Sequence, residues 1–311
     1  MRKALLTILL VGACVSYMAA QAPIRYMPLI SDPRGENLPR QNHTGVFTVN
    51  LGNGINYHNG PVMPGTPNVY LIWYGNWKNG PLPSDSQTTV DLVTNFLRHV
   101  GGSPYEMINS TYGDTVNDVT SLVHVAGSVK APTYPMGKNL SGLLITRILG
   151  KALQKLPSDT NGIYFVLTTS DVNQLPGFCI SYCGWHSVTN INGADIKYSF
   201  VGNSDHCNGG CAAQVISPNN DSGADGMINV IAHELEESIS DPDLNAWWDD
   251  VSGGENADKC VWTFGDLLGG TIGNGGYNET INGVNYLIQM NWENARGGGC
   301  DNFLGGPFHT N

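Results

Sequence analysis

The stretch 225–241, DGMINVIAHELEESISD, combines residue types that bind metal ions with the spacing of a helix. His233 and Glu237 are four residues apart, so on a helix their side chains leave the same face and can reach a common point. Glu234 lies beside them and could activate a water molecule held there. Imidazole nitrogens and carboxylate oxygens are ordinary zinc ligands. The stretch is therefore a candidate metal site.

The same stretch predicts an amphipathic helix, because its apolar residues recur at intervals of three and four. They are Ile228, Ile231, Leu235 and Ile239. One alternative stays open, since the face opposite such a stripe is usually solvated and H-E-x-x-E would then be an ordinary wet helix face. The string differs by one letter from H-E-x-x-H, in which two histidines hold zinc and the glutamate activates the bound water.

A third ligand is expected from the chain that follows the helix. Glu255 comes eighteen residues after Glu237, in the segment GGENADKC, and one class of zincin takes its third ligand from the next element in this way. Asp258 and Asp241 are the alternatives, although Asp241 before Pro242 also suits a helix terminus. A carboxylate in place of the second histidine acidifies bound water less, and oxygen-rich ligation admits Mn²⁺ or Ca²⁺ beside Zn²⁺.

Two functions fit this candidate site. The first is a metal-dependent hydrolase, with a peptidase as the leading candidate, in which Glu234 is the general base and His233, Glu237 and Glu255 hold the metal. The second is a non-catalytic extracellular protein whose metal site is structural. A carboxylate aimed at bound water serves only the first function, so Glu234 discriminates between them.

The elements that must position these residues are buried strands alternating with helices. Short β-branched and aromatic runs at 68–77 and 162–170 predict central strands. The spacing at 86–100 and 141–156 predicts two further helices, the first capped by Asp85 or Ser86. We therefore expect an α/β domain with a mixed sheet built on 69–73 and 163–168, and with the His233 helix packed on it.

The N-terminus is typical of export. Arg2 and Lys3 precede an apolar run at 4–11, and small residues follow, which predicts a secretory signal peptide at 1–20. The run is too short to span a bilayer, so no membrane span is expected. A Pro/Gly/Asn-rich segment at 21–66 shows neither helical nor strand periodicity and precedes a single α/β domain at 67–311. The expected location is extracellular.

Six cysteines follow the predicted signal peptide, and an even number in an exported chain predicts three disulfides. Proximity in sequence suggests two local C-x-x-x-C pairs and one longer bridge: Cys179 with Cys183, Cys207 with Cys211, and Cys260 with Cys300. The rival interpretation is a thiolate metal site, because His186 and His206 adjoin the two local pairs. His186 is first of all a candidate structural histidine, with a metal ligand and a proton donor as the alternatives.

The formal net charge of −11 makes nucleic acids and anionic membranes poor partners. An extracellular peptide or a cell-wall component remains the partner class.

Six ordered segments together resemble the phosphate-induced, EXORDIUM-like proteins, over residues 57–300. They are HNGPVMPGTPNVYLIWYGNW, GIYFVLTTSDV, GFCISYCGWH, the VGN stretch with its C-x-x-x-C, DGMINVIAHELEESISDPDLNAWW and ENADKC. Proteins of this family are best known as secreted plant cell-wall proteins connected with growth, and relatives occur in microbes. The resemblance implies secretion, the cysteine pattern, and the H-E-x-x-E helix with its downstream E-x-x-D. The family is defined by sequence and expression rather than by a reaction.

Overall fold

The computed structural model describes residues 24–28, 54–207 and 209–306, so the predicted signal peptide and Cys14 lie outside the described residues. In chain order the strands are β1 (Ile24–Pro28), β2 (Asn56–Tyr57), β3 (Asn68–Tyr74), β4 (His124–Ala131), β5 (Asn139–Leu140), β6 (Gly162–Thr168), β7 (Asn173–Gln174), β8 (Tyr182–Ile191), β9 (Ala194–Gly202), β10 (Trp247–Trp248), β11 (Gly269–Thr271), β12 (Asn274–Tyr277), β13 (Glu279–Ile281), β14 (Val284–Tyr286), β15 (Asn291–Glu293) and β16 (Gly299–Asp301). The helices are α1 (Gln87–His99), α2 (Gly142–Ala152) and α3 (Ser222–Ser240), and the 3-10 helices are η1 (Glu106–Thr111), η2 (Ser204–Cys207) and η3 (Asp258–Cys260).

The core is a six-stranded mixed sheet in the order β1-β8-β9-β6-β3-β4. The strands β4, β3, β6 and β9 are parallel, and β8 and β1 continue the sheet in antiparallel pairing. The two strands expected at its centre pair directly, with Val69 opposite Ile163. Every residue of β6 is buried, as expected of a parallel strand covered on both faces. The predicted α/β class and mixed sheet are confirmed.

The helices α1 and α2 begin where hydroxyl caps satisfy their first amides. Ser86 Oγ accepts the Thr89 amide at 3.2 Å, and Ser141 Oγ accepts the Leu144 amide at 3.4 Å. The α1 crossover joins β3 to β4, whereas the α2 crossover returns from β4 to β6 on the other side of β3. Because such crossovers are right-handed, the two helices lie on opposite faces of the sheet. Helix α1 shares its face with α3.

The helix α3 is buried on its polar side as well as its apolar side, so the alternative of a wet helix face is wrong. All its residues from Gly223 to Ser240 are buried. One side packs on β8 and β9. The polar side is covered partly by β8, where Glu234 contacts His186, and partly by the chain at 241–306, hereafter the C-terminal cover. The Gln289 amide of this cover donates to Asn229 Oδ1 at 2.7 Å. An apolar stripe identifies only the face toward the main core, and the polar face is buried here because partners from the cover hydrogen-bond to it.

The two local disulfide pairs expected from the sequence are wrong. Cys179 is bonded to Cys207 and Cys183 to Cys211, the partners being 28 positions apart in each case, whereas the predicted Cys260–Cys300 bridge is confirmed. The reason is the β8–β9 hairpin. Its antiparallel strands bring the segment before β8 beside the segment after β9, so each C-x-x-x-C faces the other rather than closing on itself.

Part of the N-terminal segment, for which the sequence showed no periodicity, forms the edge strand β1. It pairs antiparallel with β8 and places Arg25 opposite His186. Five residues are too few to reveal a period, and the pairing depends on the partner strand rather than on the segment itself. Among the described helices, none has the length and apolar character needed to cross a membrane.

Candidate metal centre

Three elements and one loop bring the predicted site residues together. Helix α3 carries its ligands one turn apart, strand β8 faces that helix, the loop after β10 contributes a glutamate, and η3 begins with an aspartate. The resulting cluster, hereafter the His/carboxylate centre, consists of His186, His233, Glu234, Glu237, Glu255 and Asp258. Gly184 allows the close approach of α3 to β8, because a Cβ there would lie 2.5 Å from Val230 Cγ1 and 3.0 Å from Glu234 Oε1.

One group of ligand atoms surrounds His233. Its Nε2 lies 3.1 Å from Glu237 Oε1 and 3.5 Å from Asp258 Oδ1. The Asp258 backbone amide donates to the same Glu237 oxygen at 3.1 Å, so the start of η3 is fixed against α3. His233, Glu237 and Asp258 thus form a set able to hold a metal ion, each with a ligand atom within 4.8 Å of the others.

A second group surrounds His186. Its Nε2 lies 3.3 Å from Glu255 Oε2, and its Nδ1 lies 3.3 Å from Glu237 Oε2. The ring also hydrogen-bonds through Nδ1 to Glu234 Oε2 at 3.2 Å. His186, Glu237 and Glu255 form another set able to hold an ion, again with ligand atoms within 4.8 Å. Glu237 belongs to both groups.

The close approaches in this centre are largely not hydrogen bonds. Nε2 of both histidines, Glu237 Oε2 and both Glu255 oxygens lack a hydrogen-bond partner among the residues that the structure describes. Unpartnered buried polar atoms are rare and call for an explanation. Ligands at about 2.0 Å around a tetrahedral metal are about 3.3 Å apart, which is close to the spacing found here. The spacing of these atoms is therefore compatible with metal ligands.

Burial and mutual contact set the protonation of the centre. The side chains of His233, Glu234, Glu237 and Glu255 have no exposed area, and that of His186 has 1%. Burial alone lowers the pKa of His186, but its contacts with Glu234 and Glu237 outweigh this and raise the pKa to about 9. Burial raises the pKa of Glu234 to about 7 despite the nearby imidazoles.

Glu237 and Glu255 are shifted in opposite directions. Burial raises the pKa of Glu237, but His233 and His186 outweigh it, so the net pKa lies well below the usual range. Glu255 has a pKa well above its usual range, first because of burial and then because Glu237 and Asp241 repel its charge. Without bound cations, the centre can hold these carboxylates together only by retaining protons.

The sequence predicted one set of ligands, but the structure divides the candidate residues between the two histidines. Glu255 lies beside His186, and Asp258 is the carboxylate beside His233. Asp241 ends α3, where its Oδ1 accepts the amides of Asn245 and Ala246 at 2.6 Å each. Sequence reasoning kept His186 as one of three alternatives and did not include it among the ligands. The sequence feature that could have identified it is the alternation of side chains along β8. Because successive side chains point to opposite faces of a strand, His186 faces α3 when Trp185 faces away from it.

The match of a family profile to most of the chain decides its classification. The phosphate-induced protein 1 conserved region matches residues 55–301, a range that contains the whole His/carboxylate centre. This chain belongs to the phosphate-induced, EXORDIUM-like family. Among its relatives, Protein EXORDIUM-like 3 of Arabidopsis thaliana is 32% identical over 78% of this chain and 81% of the relative. Protein PHOSPHATE-INDUCED 1 of Nicotiana tabacum is 29% identical over 75% of this chain and 83% of the relative. No solved structure matches the chain.

The rival thiolate site is wrong for this EXORDIUM-like chain. All four cysteines that could have formed it are in disulfides. His206 lies instead with its Nδ1 2.5 Å from the Ser170 carbonyl oxygen and its ring stacked on Phe178. The groups able to hold a metal are therefore imidazole and carboxylate groups, which admit zinc and harder divalent cations alike.

A cation from β1 completes the surroundings of the centre. Arg25 Nε lies 3.5 Å from Glu255 Oε1, and Arg25 Nη1 donates to the Gly253 carbonyl at 2.9 Å. The guanidinium also lies 6.0 Å from the ring centroid of Trp248. The edge strand thus closes one side of the centre and contributes a positive charge to it.

Proposed function

We propose that this EXORDIUM-like chain is a secreted extracellular protein whose His/carboxylate centre binds divalent metal, zinc first, as a structural tie between α3, β8 and the start of η3. The observation that carries the proposal is the convergence of buried ligand atoms without hydrogen-bond partners. Two carboxylates about 4 Å apart repel by roughly 4 kcal/mol at an effective dielectric of 20. A divalent ion reverses the sign of that interaction, and two imidazoles favour zinc over manganese or calcium.

Export is supported by the disulfides and by the N-terminal pattern. Three bridges persist only in an oxidising compartment. The charged start and apolar run at 1–11 are typical of a secretory signal. Extracellular localisation also agrees with the acidic, glycine-rich composition.

The burial of the ligand side chains within the protein supports a structural rather than a catalytic role. Catalytic zinc sites keep a coordination position open to water and substrate, whereas structural sites are closed by protein ligands. Here the side chains of His186, His233, Glu237 and Glu255 are at most 1% exposed, that of Asp258 is 21% exposed, and the Arg25 guanidinium lies beside Glu255. A metal held this way would fix the C-terminal cover to the sheet layer through α3.

Metal analysis of the mature protein, purified without chelators, tests the proposal. We expect stoichiometric bound metal and a melting temperature that falls on chelation and recovers on adding zinc, because an ion that binds only the folded chain stabilises it. At free metal 100-fold above Kd the expected stabilisation is about 2.7 kcal/mol. His233→Ala should bind less metal than the wild type, whereas the matched variant His206→Ala, outside the centre, should bind as much. Metal-free protein whose melting is indifferent to EDTA and zinc would overturn the proposal.

A metal-dependent hydrolase, acting on an extracellular peptide, is the second candidate, and Glu234 supports it. Glu234 Oε1 has no hydrogen-bond partner among the described residues, and a pKa of about 7 suits a general base. Glu234 also hydrogen-bonds His186 and so orients this histidine, which is a role that a structural metal site would need as well. Glu234→Gln separates the two functions. Turnover of a peptide library that is lost while metal content is unchanged would support the hydrolase, whereas metal affinity weakened about 10 to 100-fold with no turnover in either protein would support the structural role.

A further inference from the structure

We infer that the His/carboxylate centre binds two divalent metal ions, bridged by Glu237. The inference rests on the proposed metal binding and extends it from one ion to a pair. Its starting point is that the two sets of ligand atoms share one residue and otherwise have different members. One set adds His233 and Asp258 to Glu237, and the other adds His186 and Glu255.

The two oxygens of Glu237 face different histidines. Oε1 lies 3.1 Å from His233 Nε2, and Oε2 lies 3.3 Å from His186 Nδ1, the ring nitrogen that also faces Glu234. A carboxylate that offers one oxygen to each of two ions is a bridging ligand, and paired metals in proteins are about 3.5–4 Å apart. The orientation of this side chain therefore fits two ions.

Each set is composed alike: one imidazole, one carboxylate of its own, and the shared Glu237. Asp258 Oδ1 is 3.5 Å from His233 Nε2, and Glu255 Oε2 is 3.3 Å from His186 Nε2. The hydrogen bond from His186 Nδ1 to Glu234 leaves Nε2, the nitrogen that faces Glu255, as the ligand atom, and a carboxylate thus orients the histidine. Glu237 lies nearer Nδ1, and the three residues offer ligand atoms within 4.8 Å of one another. Neither set borrows a histidine from the other.

The charge of the enclosed groups also fits two ions. Five buried or half-buried carboxylates surround the centre, namely Glu234, Glu237, Asp241, Glu255 and Asp258. Arg25 opposes one of them, so with neutral imidazoles about four negative charges remain. Two divalent ions balance that charge. A single ion leaves half of it uncompensated in a buried site, where uncompensated charge is costly.

The stoichiometry of the wild-type mature protein is the first test. Dialysis against zinc, followed by native mass spectrometry and elemental analysis, should find two ions per chain. One ion would overturn the inference while leaving the proposed metal binding intact, and no ion would overturn both.

Loading with Mn²⁺ provides a measurement that needs no variant. At two equivalents we expect an exchange-coupled electron paramagnetic resonance spectrum, since a carboxylate bridge couples ions about 3.5–4 Å apart. Two independent, uncoupled Mn²⁺ signals would overturn the bridged pair.

Variants then assign each ion. His233→Ala and His186→Ala should each retain one ion, and Glu237→Gln should retain at most one, with the exchange-coupled signal lost. Glu236→Gln is the matched control, because Glu236 is a buried neighbour on the same helix that hydrogen-bonds Asn291 instead, and it should retain two. Two coupled ions retained in Glu237→Gln would overturn the inference. Near-ultraviolet circular dichroism identifies folded variants, and if none folds, the wild-type stoichiometry and Mn²⁺ spectrum decide.

Discussion

Three glutamates within one turn of α3 differ in pKa because each faces a different partner. Glu234 hydrogen-bonds His186 and has a pKa raised to about 7, whereas Glu237 lies between two imidazoles and has a lowered pKa. Glu236 points the other way, toward Glu106 on η1, and burial followed by repulsion from Glu106 raises its pKa well above the usual range. The same residue type in one helix therefore has different protonation states, set by what packs against each side chain.

The Glu106–Glu236 pair predicts a pH-dependent stability. Burial raises the pKa of Glu106 to about 8, and two carboxyl groups can hydrogen-bond to each other only when one holds a proton. The folded chain keeps this proton at a pH where the unfolded chain releases it. The contribution is therefore complete below about pH 4.5 and is lost as the pH rises toward about 8.

Urea unfolding of wild type and Glu106→Gln between pH 5 and 9 checks this prediction. The amide mimics the protonated acid, so we expect the variant to gain stability relative to wild type as the pH rises. Curves that stay parallel over the whole range would show that Glu106 does not bind a proton on folding.

Two elements, α3 and the β8–β9 hairpin, position the centre, and their contact depends on Gly184. The glycine lies two residues before His186 on β8, where Val230 and Glu234 of α3 approach the backbone. A side chain at this position would separate the helix from the strand and move His186 away from Glu234 and Glu237.

Gly184→Ala should therefore destabilise the fold by about 1–3 kcal/mol, because the added Cβ would lie 2.5 Å from Val230 Cγ1. Gly150→Ala is the matched control. A Cβ at Gly150 meets nothing within 4 Å, and alanine favours the helix α2 by up to about 1 kcal/mol. Thermal denaturation of both variants gives the comparison, and equal effects would contradict the proposed close contact. Metal content should fall in the first variant only.

The crossed disulfides give a second prediction at this scale. The double variant Cys179→Ser/Cys207→Ser removes one whole bridge, so no thiol should titrate in denaturant, and stability should fall by about 2–5 kcal/mol. Cys179→Ser/Cys183→Ser breaks two bridges and should leave two titratable thiols. Local pairing would leave none in this second variant, so thiol counts and non-reducing peptide maps decide between the two pairings.

On the scale of the whole molecule, α3 is a middle layer between the sheet and the C-terminal cover. The cover is fixed to the helix by polar contacts, including Asn291 to Glu236 at 2.6 Å, and is closed on itself by the Cys260–Cys300 bridge. The edge strand β1 adds Arg25 from the other end of the chain. The centre thus joins segments far apart in sequence, which explains why its occupancy should affect global stability.

Arg25→Met should reveal the charge balance of the centre. Removing the guanidinium should lower the melting temperature more in EDTA than with zinc, because bound metal neutralises the carboxylates that otherwise attract Arg25. Arg98→Met, an exposed arginine near the end of α1, is the matched control and should shift both curves alike. Identical shifts for Arg25→Met with and without zinc would mean that the guanidinium does not respond to the metal.

The sequence by itself determined the local features of this chain. The apolar runs at 69–73 and 163–168 identified the central strands, and the choice of Asp85 or Ser86 as cap placed the start of α1 to within one residue, Ser86 being the cap in the structure. The four-residue spacing of His233 and Glu237 placed both on one helix face. Each depends on neighbours within a turn or along a single strand, which the order of residues specifies directly.

Only the tertiary structure decided which distant residues meet. The crossed disulfides follow from the β8–β9 hairpin, and the division of Glu255 and Asp258 between two histidines follows from how η3 docks on α3. Burial of the polar face of α3 likewise depends on the C-terminal cover. Spacing along a chain limits which residues can share one element, but convergence of several elements depends on packing and strand pairing, which no local pattern encodes.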